Sequence, residues 1–291
     1  MAEISAQDVK ALRERTGAGM MECKKALGDA AGNVERAIEL LRERGLAKGA
    51  KRAGRATSEG AIALATAGAS AAIVELGCET DFVAKTDDFQ GLANGLARAA
   101  ALSAQAKTPG DVLGLADAGV PWHERVQAAS GKLGENVVLK RCARLAVPGA
   151  GRTGGYVHAG GRLGVIVALE TAASGDGLDT LAKDLAMHVA AHDPSPLAID
   201  RDGVPRQLLE QETEIFRRQA EQEGKPPQVQ GRIVEGRLKK YYGEVCLLEQ
   251  AFVKNPDQNV KQLLEEAGKR LGQPVRVTGF VRFRLGETAT E

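Results

Sequence analysis

Two stretches far apart in the chain repeat one order of features: a glycine, a short apolar strand, a glycine turn, a second apolar strand and a helix. In the first, residues 60–65 and 71–76 are the strands, Gly68 lies in the turn, and residues 89–102 carry helical periodicity. In the second, residues 155–158 and 164–169 flank Gly160 and Gly161, and residues 178–191 form a helix with Leu181, Leu185, His188 and Val189 on one face. A unit made twice predicts an α+β fold with two similar subdomains, each an antiparallel sheet built around a hairpin. At 291 residues the chain is long enough for two or three separate cores.

Ahead of the first unit, three short helices are expected. Ser5 caps the first, Ile4 and Val9 make a hydrophobic staple, Leu12 extends the stripe and Gly17 stops it. After the turn of residues 16–19, Cys23, Ala26 and Leu27 form the apolar face of the second helix. Gly32 and Asn33 then start a third, with Val34, Ala37, Ile38 and Leu41 inward. So small a bundle buries little surface and reads as a docking module. The run 42–55 sets Arg42, Arg44, Lys48, Lys51, Arg52 and Arg55 against Glu43 alone, either a solvated helix end with a linker or a contact for an acidic surface.

Between the units, residues 121–132 predict a helix. Residues 137–147 predict a strand with Val137, Leu139, Ala143, Leu145 and Val147 on one face, placed to link the two sheets. Beyond residues 193–196, Leu208 and Ile215, like Leu209 and Phe216, repeat at seven residues. Residues 224–227 turn the chain, and Val234, Leu238, Tyr241 and Val245 follow at four, three and four. An antiparallel helical hairpin is therefore expected inside the second subdomain, zipped by Ile215, Phe216 and Leu238. A helix near 260–271 and a last strand follow, with Val275, Val277, Val281, Phe283 and Leu285 on one side. The expected divisions are 1–55 for the bundle and basic linker, 56–145 for the first subdomain, and 146–286 for the second, with the hairpin at about 203–250.

Chemistry is conspicuous by what is missing. The sequence has no G-x-x-x-x-G-K-[ST] loop, no G-x-S-x-G elbow and no H-E-x-x-H helix, so no enzyme is expected. Its four cysteines are scattered without a Cys-x-x-Cys pair and read as free buried thiols, Cys78 blunted further by Glu79 and Asp81. His188 and His192 lie four apart with no third ligand nearby, so neither a metal nor a cofactor is expected. Lys plus Arg number 39 against 38 for Asp plus Glu, and aromatics are 3%, which leaves neither a basic field nor stacking surface for nucleic acid. No apolar run reaches the roughly 18 residues a spanning helix needs, and the start lacks a signal-peptide pattern; a cytoplasmic protein with no membrane partner is expected.

Residues 12–27, LRERTGAGMMECKKAL, and residues 74–85, VELGCETDFVAK, resemble the two signature segments of the elongation factor Ts family. The similarity continues through residues 233–250 and 279–283. It implies a ubiquitin-associated-like (UBA-like) N-terminal domain, an N and a C subdomain, and a helical hairpin, or coiled coil, inserted in the latter. It also implies a guanine-nucleotide exchange factor of translation elongation, partnered by elongation factor Tu in its GDP-bound and nucleotide-free forms. In the family the Thr-Asp-Phe-Val segment, here Thr80, Asp81, Phe82 and Val83, wedges into the partner's GTPase domain and helps dislodge Mg²⁺ beside GDP. The N-terminal module grips that domain elsewhere, with Arg13, Gly17, Gly19, Met20 and Met21 as the expected contacts, and the C subdomain holds the partner's third domain. Many members continue past the last strand into a further helix, whereas this chain stops at residues 286–291, which bears on the strength of the complex.

Local physics suits that role. Residues 74–78 should be a buried strand and Thr80 can cap a helix starting at Asp81, leaving Phe82 on the first turn at the edge. The alternative packs Phe82 into its own core and leaves Asp81 as an acid favoured by the helix dipole. Asp81 is not expected to ligate metal itself. Glu59, Glu75, Glu79, Asp81, Asp87 and Asp88 against Lys85 alone predict a locally negative edge. Met20 and Met21 suit an irregular apolar groove, with core packing of either or both as the alternative. A ribosome- or RNA-associated protein using residues 48–55 is the second functional reading, and self-association through the outer face of the hairpin stays open.

Overall fold

A computed structural model describes residues 4–224 and 226–287. Helix α1 (Ala6–Thr16) starts on a capping box in which the Asp8 N–H donates to the Ser5 hydroxyl and the Ser5 N–H to the Asp8 carboxylate. It ends at Gly17, whose φ of 64° is the left-handed cap that favours glycine. Together with α2 (Met20–Asp29) and α3 (Val34–Ala50), it encloses Val9, Leu12, Cys23, Ala26, Leu27 and Ala37, the expected three-helix bundle. The basic run is more helical than linker-like. Arg44 pairs with Asp29, Lys48 with Glu22 and Arg42 with Glu124, so partners line the run and the helix persists to Ala50.

The first unit comprises β1 (Glu59–Ala67), β2 (Ser70–Cys78), α4 (Asp81–Ala84), α5 (Asp87–Leu102), α6 (Pro109–Gly114), the two-residue strands β3 (Ala116–Asp117) and β4 (Val120–Pro121), α7 (Trp122–Leu133) and β5 (Val138–Ala146). The second comprises β6 (Gly151–Val157), β7 (Leu163–Glu170), α8 (Asp176–Ala191), the hairpin α9 (Arg206–Gln222) and α10 (Pro227–Val245), the short pair β8 (Ala251–Phe252) and β9 (Asn255–Asn259), α11 (Val260–Leu271) and β10 (Arg276–Arg284). Sheet order is β1-β2-β5 in one and β10-β7-β6 in the other, antiparallel throughout. The repeat is thus more complete than the sequence suggested: in each unit a third strand returns to pair with the second strand of the hairpin.

The two faces of each sheet do different jobs. In the first, Ala61, Ala63, Ala72, Val74 and Leu76 face α5, whose own Ala93, Ala97, Ala100 and Ala101 let the helix sit close. In the second, Val165, Val167 and Leu169 face α8. The remaining faces meet each other: Ile62, Ile73, Ile166 and Phe283 pack in a dry layer between the sheets, with Leu64 and Leu145 at its margin. Room for the larger side chains comes from the opposite sheet, where Gly155 faces Leu64, Gly164 faces Ile62 and Gly279 faces Leu145. Any side chain at these glycines would press into that layer.

Two strand faces depart from the simple alternation expected of them. In β5 the register slips between Glu75 and Leu76 of its partner, leaving Lys140 as an extra residue. Val137, Leu139 and Cys142 therefore face α5, while Ala143 and Leu145 face the other sheet. In β10 the slip falls at Thr278, so Val275, Val277 and Phe280 belong to the α8 side and Val281 and Phe283 to the layer between sheets. One bulged residue turns every later side chain to the opposite face. Strand β5 belongs to the first sheet and links it to the second, through residues 147–150 into β6 and through Ala143 and Leu145 in the layer between them.

The helical hairpin forms as expected, closed by Leu209, Phe216 and the fully buried Ala220, with Phe216 edge-on to Tyr241 at 6.4 Å between ring centres. Ile215, expected in the seam, is 45% exposed, because the inward stripe follows Leu209, Phe216 and Ala220. The N-terminal bundle lies on the first unit through α3 and α7, which cross where both are bare of side chains. A Cβ at Gly131 would strike the Gly45 carbonyl, and one at Gly49 the Gln127 carbonyl.

Candidate functional site

Strand β2 is buried along its length and delivers the chain to an exposed tip at Thr80. The Val83 N–H donates to the Thr80 hydroxyl at 3.4 Å, capping α4. Thr86 closes the turn by donating to the Val83 carbonyl at 2.8 Å while accepting from Phe89 N–H, which opens α5. Between these two caps Val83 is half-buried against the first unit's core, Ala84 is buried, and Phe82 stands 80% exposed. The alternative of an inward Phe82 is therefore not realised. Asp81 accepts from Lys85 at 2.6 Å, a contact that holds its carboxyl below the usual carboxylate range.

The base of the tip is pinned by a residue that the sequence did not single out. Glu135, just after the Gly134 cap of α7, takes the N–H groups of Glu79 and Thr80 on one carboxylate oxygen, both at 2.9 Å, and the Thr80 hydroxyl on the other at 2.5 Å. No local pattern could have exposed it, since its partners lie 55 and 56 residues away. Burial first, and then Glu135 and Glu59, push the Cys78 thiol up to about 11, the expected direction, but not through Glu79 and Asp81.

In the bundle, both methionines face solvent, Met20 at 54% and Met21 at 74% exposure, rather than one or both packing inward. The cause is the position of α2's first turn, since the inward stripe begins only at Cys23. Gly17 caps α1, Gly19 opens α2, and Arg13 is exposed on the last turn of α1. One contact ties the first signature segment to the helix that follows the second. The Lys132 side chain on α7 crosses directly beside Gly17, where a Cβ would collide with its ammonium end, and donates to Asp88 at the start of α5 at 2.8 Å.

The expected negative edge is largely neutralised. Glu59 pairs with Arg162, Glu75 with Arg141, Glu79 with Arg55, Asp81 with Lys85 and Asp88 with Lys132; most of these cations come from distant sequence, which a local count misses. Elsewhere, His188 uses both ring nitrogens within the core, and among the described residues no cluster of His, Cys, Asp and Glu could hold a metal ion.

A family model described as elongation factor TS matches residues 79–287. The chain is 45% identical to elongation factor Ts of Paramagnetospirillum magneticum, over 99% of this chain and 93% of that one. Identity is 46% to the elongation factor Ts of Prosthecochloris aestuarii, over 98% and 100%, and 46% to that of Rhodospirillum rubrum, over 99% and 94%. The chain belongs to the elongation factor Ts family. In this member of the family Lys132 lies between the Gly17 turn and the start of α5. Among the described residues no helix of this family member is long and apolar enough to cross a membrane. Of residues 286–291, on which the expectation about a further helix bears, 288–291 lie outside the described residues.

Proposed function

We propose that this chain is the guanine-nucleotide exchange factor of elongation factor Tu, acting in the cytoplasm as a binding protein and not as an enzyme. The division into a module over 1–55 and subdomains over 56–145 and 146–286 is part of that reading. The carrying observation is Phe82, an aromatic ring 80% exposed on a tip whose backbone is fixed at both ends. A large apolar side chain held in water by a rigid support is arranged for a partner, since packing it inward would remove its surface from solvent at home.

The exposed Met20 and Met21 supply an adaptable second contact and, with Arg13, Gly17 and Gly19, form the grip of the N-terminal module. Thr80, Asp81, Phe82 and Val83 form the wedge. Insertion of Phe82 shifts partner groups that hold Mg²⁺ beside GDP; because that ion demands near-octahedral geometry, a small displacement of one ligand weakens it. Binding and release are then reciprocally coupled: the factor by which this protein weakens GDP is the factor by which GDP weakens this protein.

Release of a fluorescent GDP from elongation factor Tu, followed by stopped flow, tests the proposal. The protein at micromolar concentration should accelerate release. Phe82→Ala should lower the accelerated rate by about 30-fold, the equivalent of losing one interface anchor worth ~2 kcal/mol, and Asp81→Ala should lower it in the same direction. Release that is no faster with the protein than without it would end this reading.

A further inference from the structure

We propose that Glu135 is a positioning residue of the exchange tip, fixing Phe82 relative to the helix on which the N-terminal bundle rides. The inference rests on the exchange reading above. The contact is reciprocal: Glu135 accepts from the N–H groups of Glu79 and Thr80, and Glu79 in return accepts from the Asn136 N–H at 2.7 Å. Asn136, itself buried, donates its side-chain amide to the Arg55 carbonyl at 2.7 Å, and Arg55 reaches Glu79 at 3.4 Å. Two carboxylates thus each hold the other segment's backbone, and the linker from the bundle is tied into the same knot. Ser130 on α7 donates to the Glu135 carbonyl at 2.6 Å, so the loop that carries Glu135 is anchored on its own helix.

Helix α7 also bears the bundle at the Gly131–Gly45 crossing and carries Lys132 against Gly17. The tip and the methionine-bearing turn are therefore referred to one rigid element. Charge-assisted hydrogen bonds are short and directional, and three of them, two from backbone N–H groups and one from the Thr80 hydroxyl, converge on Glu79 and Thr80 just ahead of the helix that carries Phe82. A wedge transmits force only if its base does not yield. Loosening it leaves the docking surfaces in place but lets Phe82 fold aside when it meets resistance, so the loss falls on the maximal exchange rate and not on the concentration needed to reach half of it.

The test measures fluorescent GDP release from elongation factor Tu across a range of concentrations of the wild-type chain and of Phe82→Ala, Glu135→Ala, Glu135→Gln and Thr80→Val. Glu135→Ala should lower the maximal rate on the order of tenfold while its half-saturating concentration stays within about twofold of wild type. Glu135→Gln should recover most of the rate, because the amide oxygen still accepts both backbone N–H groups. Thr80→Val removes the hydroxyl's bonds to Glu135 and to the Val83 N–H together and should fall between them; a wild-type rate for it overturns the proposal even if Glu135→Ala does not fold. A role in stability alone would lower the folded fraction and leave the saturated rate of folded protein unchanged, and that result overturns the proposal. So does a slow Phe82→Ala beside Glu135→Ala and Thr80→Val at the wild-type rate, which spares the exchange reading. A wild-type chain that fails to accelerate release removes both.

Discussion

His188 lies fully buried on α8 with each ring nitrogen assigned. Nδ1 accepts from the Val253 N–H at 3.2 Å, so Nε2 carries the proton and donates to the Gln250 side chain at 3.0 Å; Gln250 in turn donates to the Glu244 carbonyl at 2.7 Å. Burial is the main reason its pKa drops to about 4. The unfolded histidine titrates near 6.5, so between about pH 6.5 and 4 the unfolded chain takes up a proton that the native one refuses. His188 therefore contributes fully above pH 6.5, and its contribution is lost as pH falls toward 4, on the order of 3 kcal/mol in all. Urea titrations of wild type and His188→Gln at pH 7 and pH 4.5 should show a smaller pH dependence in the variant; equal slopes would contradict this account. At this scale the sequence was legible where a residue's role is local: Thr80 as a cap, Phe82 on the first turn, and Gly17 as a stop. It was silent on Glu135 and Lys132, whose partners are fixed only when distant segments meet.

Among the elements, the crossing of α3 and α7 is the one that close approach controls. A valine at Gly131 would drive its Cβ into the Gly45 carbonyl, backbone against side chain, with no flexible atom to give way. Gly131→Val should detach the bundle while leaving the first unit's sheet folded. Trypsin cleavage at Lys51, Arg52 and Arg55 should then become faster by tenfold or more, because local release exposes a linker otherwise held in place. Unaltered cleavage would mean that the helices are not held by this contact. The helices and hairpins themselves were readable from periodicity and turn residues. The third strand of each sheet was found as a strand but given the wrong face beyond its bulge, because an inserted residue such as Lys140 or Thr278 leaves no mark in the hydrophobic pattern.

At the scale of the whole molecule, the two sheets are held by more than apolar contact. Glu75, 2% exposed, accepts from Arg141 at 2.7 Å; Arg141 also donates to the Arg284 carbonyl at 2.8 Å and lies 4.3 Å from the centre of the Phe283 ring. Glu75→Ala would leave the Arg141 guanidinium partly buried without its partner, a loss of about 3 kcal/mol. Calorimetry should show a lower melting temperature and separate transitions for the two units; a variant that melts with wild-type stability would rule out this joint. The doubled unit was legible in the sequence, yet nothing in it announced that the copies stand back to back. The Thr153 N–H and hydroxyl bond to Gly68, and the Ile62 N–H bonds to Gly161, so the turn of each hairpin is completed by the other copy. A ribosome makes these halves in succession. From the moment β1 and β2 emerge until residues 151–170 follow, Ile62 and Ile73 have no lid, and the nascent chain carries a greasy flank whose cover is still to be translated.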